Sequence, residues 1–257
     1  MKLTQVAAQL YTLRDFLKTP ADIAVTLKKV RAIGYTAIQE SGLGPIDEKE
    51  WLALLKGEGL TNCGTHDDSQ LLLAEPQKVV DRLQRLGLTY SAYPYPGGVE
   101  LKTLADIESL AKKLDQAGAV FAKAGKVLLY HNHALEFRRF GDKTMLEIIY
   151  DNTDPANLQG EIDTYWVQAG GGDPVAWCKR LKNRLPLLHM KDFGINNDGK
   201  AYFAEIGHGN LNFKAIVKEA EASGCKWFIV EQDTCPGDPF DSLKKSFEYI
   251  SHNLVSE

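Results

Sequence analysis

Ala122-Lys123-Ala124-Gly125-Lys126-Val127-Leu128-Leu129-Tyr130-His131-Asn132-His133 holds the unit from which the whole chain is built. It is the end of an amphipathic helix, a glycine, a short apolar strand and then ionisable side chains. Glycine at that point supplies the left-handed conformation that stops a helix without steric cost, so a strand can begin at once. The same punctuation recurs in Arg31-Ala32-Ile33-Gly34-Tyr35, Lys56-Gly57-Glu58-Gly59-Leu60, Arg85-Leu86-Gly87-Leu88 and Ala222-Ser223-Gly224-Cys225-Lys226. Short runs rich in β-branched and aromatic residues place strands near 4–11, 35–40, 60–66, 88–94, 126–132, 158–163, 186–191 and 226–232. Helical patterns fall near 20–33, 46–56, 70–86, 100–123, 143–151, 173–182, 212–223 and 238–254. Alternation of this kind and number is that of an α/β (β/α)8 TIM barrel, and an open doubly wound sheet seldom needs so many units. The expected architecture is one TIM barrel domain over residues 1–257. Asn157-Leu158-Gln159-Gly160-Glu161-Ile162-Asp163 is the least strand-like segment, being mostly polar and interrupted by glycine.

A chain of 257 residues with 44% hydrophobic composition can bury one large core. Its net charge of −4, with acids and bases interspersed, offers no positive stripe for a nucleic acid or an anionic membrane. Met1-Lys2-Leu3-Thr4-Gln5-Val6 lacks the cationic and apolar regions of a secretion signal, and no window approaches a bilayer span. These features lead to the expectation of a cytoplasmic protein with neither nucleic-acid nor membrane partners. Cys63, Cys178, Cys225 and Cys235 form no Cys-x-x-Cys pair, so buried thiols are expected rather than a disulfide framework or thiolate zinc site.

In a parallel barrel the strand C-termini meet at one mouth, where side chains from separate strands converge. Ionisable residues end four strands here: His131-Asn132-His133, Glu161-Ile162-Asp163, His189-Met190-Lys191-Asp192 and Glu231-Gln232-Asp233. Asp163, His189 and Glu231 are the most economical ligand set for one divalent ion, Mn²⁺, Mg²⁺ or Zn²⁺, with a fourth ligand expected from strand five. A strand-end acid also serves simply as a helix cap, the reading given to Asp173 before Pro174. Three such residues at equivalent strand ends make coincidence the weaker explanation. His131 and His133 alternate about Asn132 and point the same way on an ideal strand. Both could face the mouth, or one could support a ligand carboxylate.

These residues resemble the xylose isomerase-like sugar isomerase/epimerase superfamily over nearly the whole chain. The likeness runs through Ala8-Gln9-Leu10-Tyr11-Thr12-Leu13-Arg14, Tyr130-His131-Asn132-His133-Ala134-Leu135-Glu136-Phe137, Asp163-Thr164-Tyr165-Trp166, Leu188-His189-Met190-Lys191-Asp192 and Val230-Glu231. Its His-Asn-His-x-x-Glu-Phe string resembles a bacterial subgroup of sugar phosphate isomerases/epimerases, some acting on oxidised sugars and glycosides. The resemblance implies Asp163, His189 and Glu231 as metal ligands. The strand end where many relatives carry Glu is held here by His131, so Glu136 is taken as the fourth ligand with His131 as the alternative. It also casts Glu231 and Glu136 as a proton-transferring pair on opposite substrate faces, with His131 or His133 as an extra proton carrier.

Glu40 and His66 end strands two and three, where the resemblance implies contacts to substrate hydroxyls or proton transfer. Tyr11, Arg14 and Trp166 are expected either to hold a sugar or only to pack. Lys191 either steadies an enolate oxygen or pairs with Asp192 or Glu161. Gly207-His208-Gly209-Asn210 follows strand seven, and relatives often carry an acidic residue where His208 stands. His208 is placed among the substrate contacts, with phosphate recognition left open.

The resulting expectation is a metal-dependent isomerase or epimerase acting on a small carbohydrate through an enediolate, as a homo-oligomer if it follows common relatives. A lyase or dehydratase using the same intermediate is the alternative. An endonuclease IV-like phosphodiesterase is disfavoured by the acidic balance, and a non-catalytic sugar-binding barrel by the intact ligand set.

Overall fold

The computed structural model describes residues 1–255. Strands β1 (Val6–Gln9), β2 (Ala37–Glu40), β3 (Thr61–His66), β4 (Tyr90–Tyr93), β5 (Val127–His131), β6 (Leu158–Asp163), β7 (Leu187–Met190) and β8 (Trp227–Val230) pair in parallel with their neighbours. β8 closes on β1, with Val6 facing Phe228, so the described residues form a closed eight-stranded barrel wrapped by helices. The TIM barrel expectation is met. Glycines 59 and 87 end their helices in the left-handed region, at φ 64° and 69°.

Local departures have local causes. Instead of a strand over 4–11, β1 is flanked by 3-10 turns at Leu3–Gln5 and Leu10–Phe16. The helix expected over 70–86 is two helices, Ser69–Ala74 and Pro76–Leu86, because Pro76 lacks an N–H and restricts Glu75 before it. Asp173 caps the helix Pro174–Arg180 through Val175 N, as read from sequence. A helix at Thr164–Ala169 and two hairpins, Arg139–Phe140 with Lys143–Thr144 and Asp192–Ile195 with Ala201–Ala204, were not anticipated. Cys63, Cys178 and Cys225 are buried free thiols, and Cys235 is partly exposed. Among the described residues no helix is long and apolar enough to cross a membrane.

The barrel interior positions the site. Ala7, Ala37, Cys63, Ala92, Leu129, Leu187 and Ile229 form an apolar plug inside it. Strand side chains alternate faces, so the next inward position lies two residues on. From Ala7, Ala37, Leu129, Leu187 and Ile229 that step leads to Gln9, Gln39, His131, His189 and Glu231, all buried. The filling therefore changes from hydrocarbon to hydrogen-bonding and ionisable groups in one layer toward the mouth. β6 contributes Glu161 and Asp163 at inward positions, in register with His131 and His189 respectively. Its polar sequence is that of a strand lining this layer. Gly160 lies against Leu181, where an added Cβ would come within 2.7 Å of Cδ1.

Candidate metal centre and active site

Buried charges persist only when paired or ligated, so the polar layer must satisfy itself. One group of potential ligand atoms comes from His131, Asp163, His189 and Glu231, which lie within 4.8 Å of one another. His189 Nδ1 is 2.9 Å from Glu231 Oε2, and His131 Nε2 is 3.9 Å from Asp163 Oδ2. Asp163 uses Oδ1 to cap Trp166 N, while its buried Oδ2 accepts no hydrogen bond and has only the Lys191 ammonium, 3.2 Å away, as an ionic neighbour. Two imidazoles and two carboxylates converging this closely, one carboxylate oxygen held only by ionic contact to an ammonium that a cation could replace, fit a borderline or hard divalent ion. A second group, His66, His131, Glu161 and His189, shares two of these residues.

Lys191 lies against the first group. Its Nζ is 3.2 Å from Asp163 Oδ2, 3.1 Å from Glu231 Oε2 and 2.9 Å from Asp233 Oδ1. The pairing with Asp192 or Glu161 considered from sequence is thus replaced by three other carboxylates. Burial disfavours its ammonium, but these acids outweigh burial and hold Lys191 charged. Burial alone would raise Glu231, yet Lys191 and His189 hold it well below the usual carboxylate range. Burial and the Glu231 charge raise Asp163 against the pull of Lys191. His189 resists its own burial because Glu161 and Glu231 raise it to about 10, so without a metal it carries a proton between Nδ1 and Glu231. A bound divalent ion would take that proton's place. His131 is pushed well down by burial and by His189, and stays neutral.

His131 and Glu231 of this group open onto a cavity of about 590 Å³, whose wall also includes Tyr11, Arg14, His66 and His133, while Asp163, His189 and Lys191 lie buried behind them. Asp67, Asp68, Tyr95 and Asp233 also line it, and sequence reading had assigned none of them a role. Arg14 donates to the backbone oxygens of Tyr11 and Asp233 and lies 4.5 Å over the Tyr11 ring. His133 is pushed down to about 3, first by burial and then by Lys191, and is neutral at physiological pH. Trp166 packs 5.4 Å from the His133 ring and beneath Lys191, behind the cavity wall.

Three expected site residues are placed elsewhere. Glu40 is held by Trp51 Nε1, Asn62 Nδ2 and Arg82, and faces an adjoining depression lined also by His66 and Asp67. Its carboxylate is spent on structure. His208 is exposed beside Tyr249, outside the cavity wall. The Gly-x-Gly loop around it is closed on itself, since Gly207 N, Gly209 N and Leu211 N all donate to the Asp192 carboxylate. A Cβ at Gly209 would lie 2.4 Å from Asp192 Oδ1, so this approach requires glycine. The loop's N–H groups hold an internal carboxylate where a substrate phosphate had been left open.

Glu136 is the third, and the larger correction. The 3-10 turn Ala134–Phe137 swings its carboxylate back to accept from His133 N at 2.7 Å and Tyr130 Oη at 3.0 Å. It joins neither ligand group, and His131 takes the strand-five place. Burial lifts Glu136 from 4.5 to about 7, against those hydrogen bonds. A raised folded-state value means the fold holds the proton more tightly than the unfolded chain. The associated stability is complete below about 4.5 and lost as pH rises through about 7, on the order of 3 kcal/mol. Glu136→Gln keeps an acceptor for His133 and should flatten this part of the stability curve between pH 4.5 and 7. Denaturant unfolding of both proteins across that range checks it, and parallel curves would reject the assignment.

Residues 27–251 match the model of the xylose isomerase-like TIM barrel family. A sugar phosphate isomerase/epimerase from Parabacteroides distasonis superposes with a TM-score of 0.82 at 25% identity, covering 98% of this chain and 95% of that one. A xylose isomerase-like TIM barrel protein from Mycobacterium smegmatis, solved in complex with magnesium, has the same fold at TM-score 0.74 and 14% identity, covering 96% and 95%. Inosose dehydratase of Geobacillus kaustophilus is 27% identical over 180 residues, which span 62% of this chain and 57% of the relative. The chain thus covers little more than half the length of that curated relative.

Proposed function

The chain belongs to the xylose isomerase-like TIM barrel family, and we propose that it is a metal-dependent sugar isomerase or epimerase. It would remove a proton from the carbon beside a carbohydrate carbonyl and return it to the other face or to the neighbouring carbon. The observation that carries this reading is the convergence of His131, Asp163, His189 and Glu231, two of which, His131 and Glu231, line an open cavity. A divalent ion held by these four would polarise the carbonyl and acidify the adjacent C–H.

The chain's own residues supply the rest. Glu231 lines the cavity and is kept ionised by Lys191 and His189, so it is available to take the proton. His133 lines the same cavity and is kept neutral, which suits it to carry a proton where Glu136 was expected. The Lys191 ammonium sits beside Glu231 and favours negative charge developing on a substrate oxygen. Asp68 is placed to accept from a sugar hydroxyl, while the Asp67 carboxylate is held by Arg82, Thr65 and Ser91, and Tyr11 and Tyr95 offer aromatic faces at the rim. The acidic wall disfavours a nucleic-acid backbone.

A second reading is favoured by the relatives named inosose dehydratase. Loss of a β-hydroxyl from the same enediolate gives a conjugated ketone instead of an epimer. Incubation in deuterated water with ketoses, keto-glycosides and inososes, with Mn²⁺ or with chelator, separates the two. Epimerisation or isomerisation places deuterium at one carbon of a product of unchanged composition, whereas elimination releases water and gives enone absorbance. Either activity should vanish with chelator. Exchange that survives chelation would overturn the metal-dependent mechanism.

A further inference from the structure

Glu161, buried between the apolar plug and the mouth, is contacted by three imidazoles. Its Oε2 lies 2.6 Å from His66 Nε2, 3.3 Å from His131 Nδ1 and 3.4 Å from His189 Nε2, while Oε1 accepts from Gln39 Nε2 at 2.5 Å. We propose that Glu161 is the positioning residue of the site, fixing which nitrogen of His131 and of His189 is turned toward the metal. The proposal rests on the reading of His131, Asp163, His189 and Glu231 as a cation site.

An ionised carboxylate only accepts, so the Gln39 group facing Glu161 is its NH₂ and its carbonyl oxygen faces away. That oxygen lies 2.7 Å from His189 Nε2 and also accepts from Gln9 Nε2. An amide oxygen cannot donate, so His189 Nε2 carries a hydrogen and Nδ1 is left to face Glu231. For His131, Nδ1 lies 3.3 Å from Glu161 Oε2, close enough for charge attraction but outside hydrogen-bond geometry, and Nε2 lies 3.9 Å from Asp163 Oδ2, so the ring hydrogen is assigned to Nδ1, beside the nearer carboxylate. His66 Nε2 donates to Glu161 Oε2. Glu161, directly and through Gln39, thus turns His131 Nε2 and His189 Nδ1 toward the upper cluster, the first without a hydrogen and the second with a proton that a bound cation would displace.

The same protons decide against the lower group as a second metal site. A metal among His66, His131, Glu161 and His189 would need His189 Nε2 bare, and Gln39 Oε1 beside it would then meet a lone pair. It would also require His131 and His189 to ligate through both ring nitrogens if the upper site were filled. A carboxylate that orients ligating imidazoles changes metal affinity by ~10–100-fold without being a ligand itself.

The test uses ¹⁵N-histidine-labelled protein and long-range ¹H–¹⁵N correlation spectra, first metal-free and then with Zn²⁺ alone. The expected metal-free spectra show His131 protonated on Nδ1 and His66 on Nε2. One equivalent of Zn²⁺ should then shift His131 Nε2 and His189 Nδ1 and leave His66 unmetallated. Glu161→Gln should bind the same single equivalent ~10–100-fold more weakly, with mixed His131 and His66 tautomers. Zinc on His131 Nδ1, His189 Nε2 and His66, or unchanged tautomers and affinity in Glu161→Gln, would overturn the proposal. If the native protein binds no Zn²⁺, the cation reading itself fails, while the metal-free tautomers still judge Glu161. Those spectra need no variant, so misfolding of Glu161→Gln leaves the test intact.

Discussion

Lys191→Met is expected to destabilise the metal-free protein by about 3–5 kcal/mol, the cost of leaving buried carboxylates without their cation. Lys191 is 1% exposed and neutralises Asp163, Glu231 and Asp233 at 2.9–3.2 Å. For a chain of this size the loss corresponds to a fall in melting temperature of about 10 °C. The same substitution frees Asp163 Oδ2 and Glu231 Oε2 from a competing positive charge, so the variant should bind Mn²⁺ more tightly. A ligand that binds only the folded state stabilises it by ~4 kcal/mol at a thousandfold excess over its dissociation constant. Calorimetry with and without Mn²⁺ should therefore show a larger metal-induced rise in Lys191→Met than in the native protein. Equal rises would mean that Lys191 and the ion do not share ligands.

Glu231→Gln is expected to reduce solvent exchange of the substrate proton by ~10³-fold, within the range for losing a positioned general base. The effect combines three losses at one carboxylate. It contacts His189 and Lys191, belongs to the ligand group and lines the cavity. Asp233→Asn is the control. Asp233 also touches Lys191 but is a quarter exposed and outside the ligand group, so its removal should cost about tenfold or less. Exchange rates for the two variants at saturating Mn²⁺ measure the contrast. Similar losses in both would show that Glu231 acts only through Lys191.

What sequence could and could not reveal follows from the range of the interactions involved. Strand periodicity and glycine stops are local, so the eight barrel strands were legible, including polar β6. Asp163, His189 and Glu231 were legible as a set because each sits at or next to the end of a barrel strand, and parallel closure brings those ends together. Glu136 was misplaced because its distance from the strand says nothing about which way the following 3-10 turn carries its carboxylate. Glu40 was placed among the substrate contacts because Arg82, the partner that holds it, lies on a helix far along the chain. Glu161 escaped assignment for a related reason. Its spacing of two from Asp163 marks the same inward face, but its role appears only once β2, β3, β5 and β7 have brought Gln39, His66, His131 and His189 around it.

A single divalent ion among His131, Asp163, His189 and Glu231, beneath the cavity, is tested most directly by anomalous diffraction from crystals grown in Mn²⁺. The account predicts one peak bounded by His131, Asp163, His189 and Glu231, with the Lys191 ammonium displaced from between the two carboxylates. Saturating Mn²⁺ with no peak there, and Lys191 still bridging Asp163 and Glu231, would contradict it.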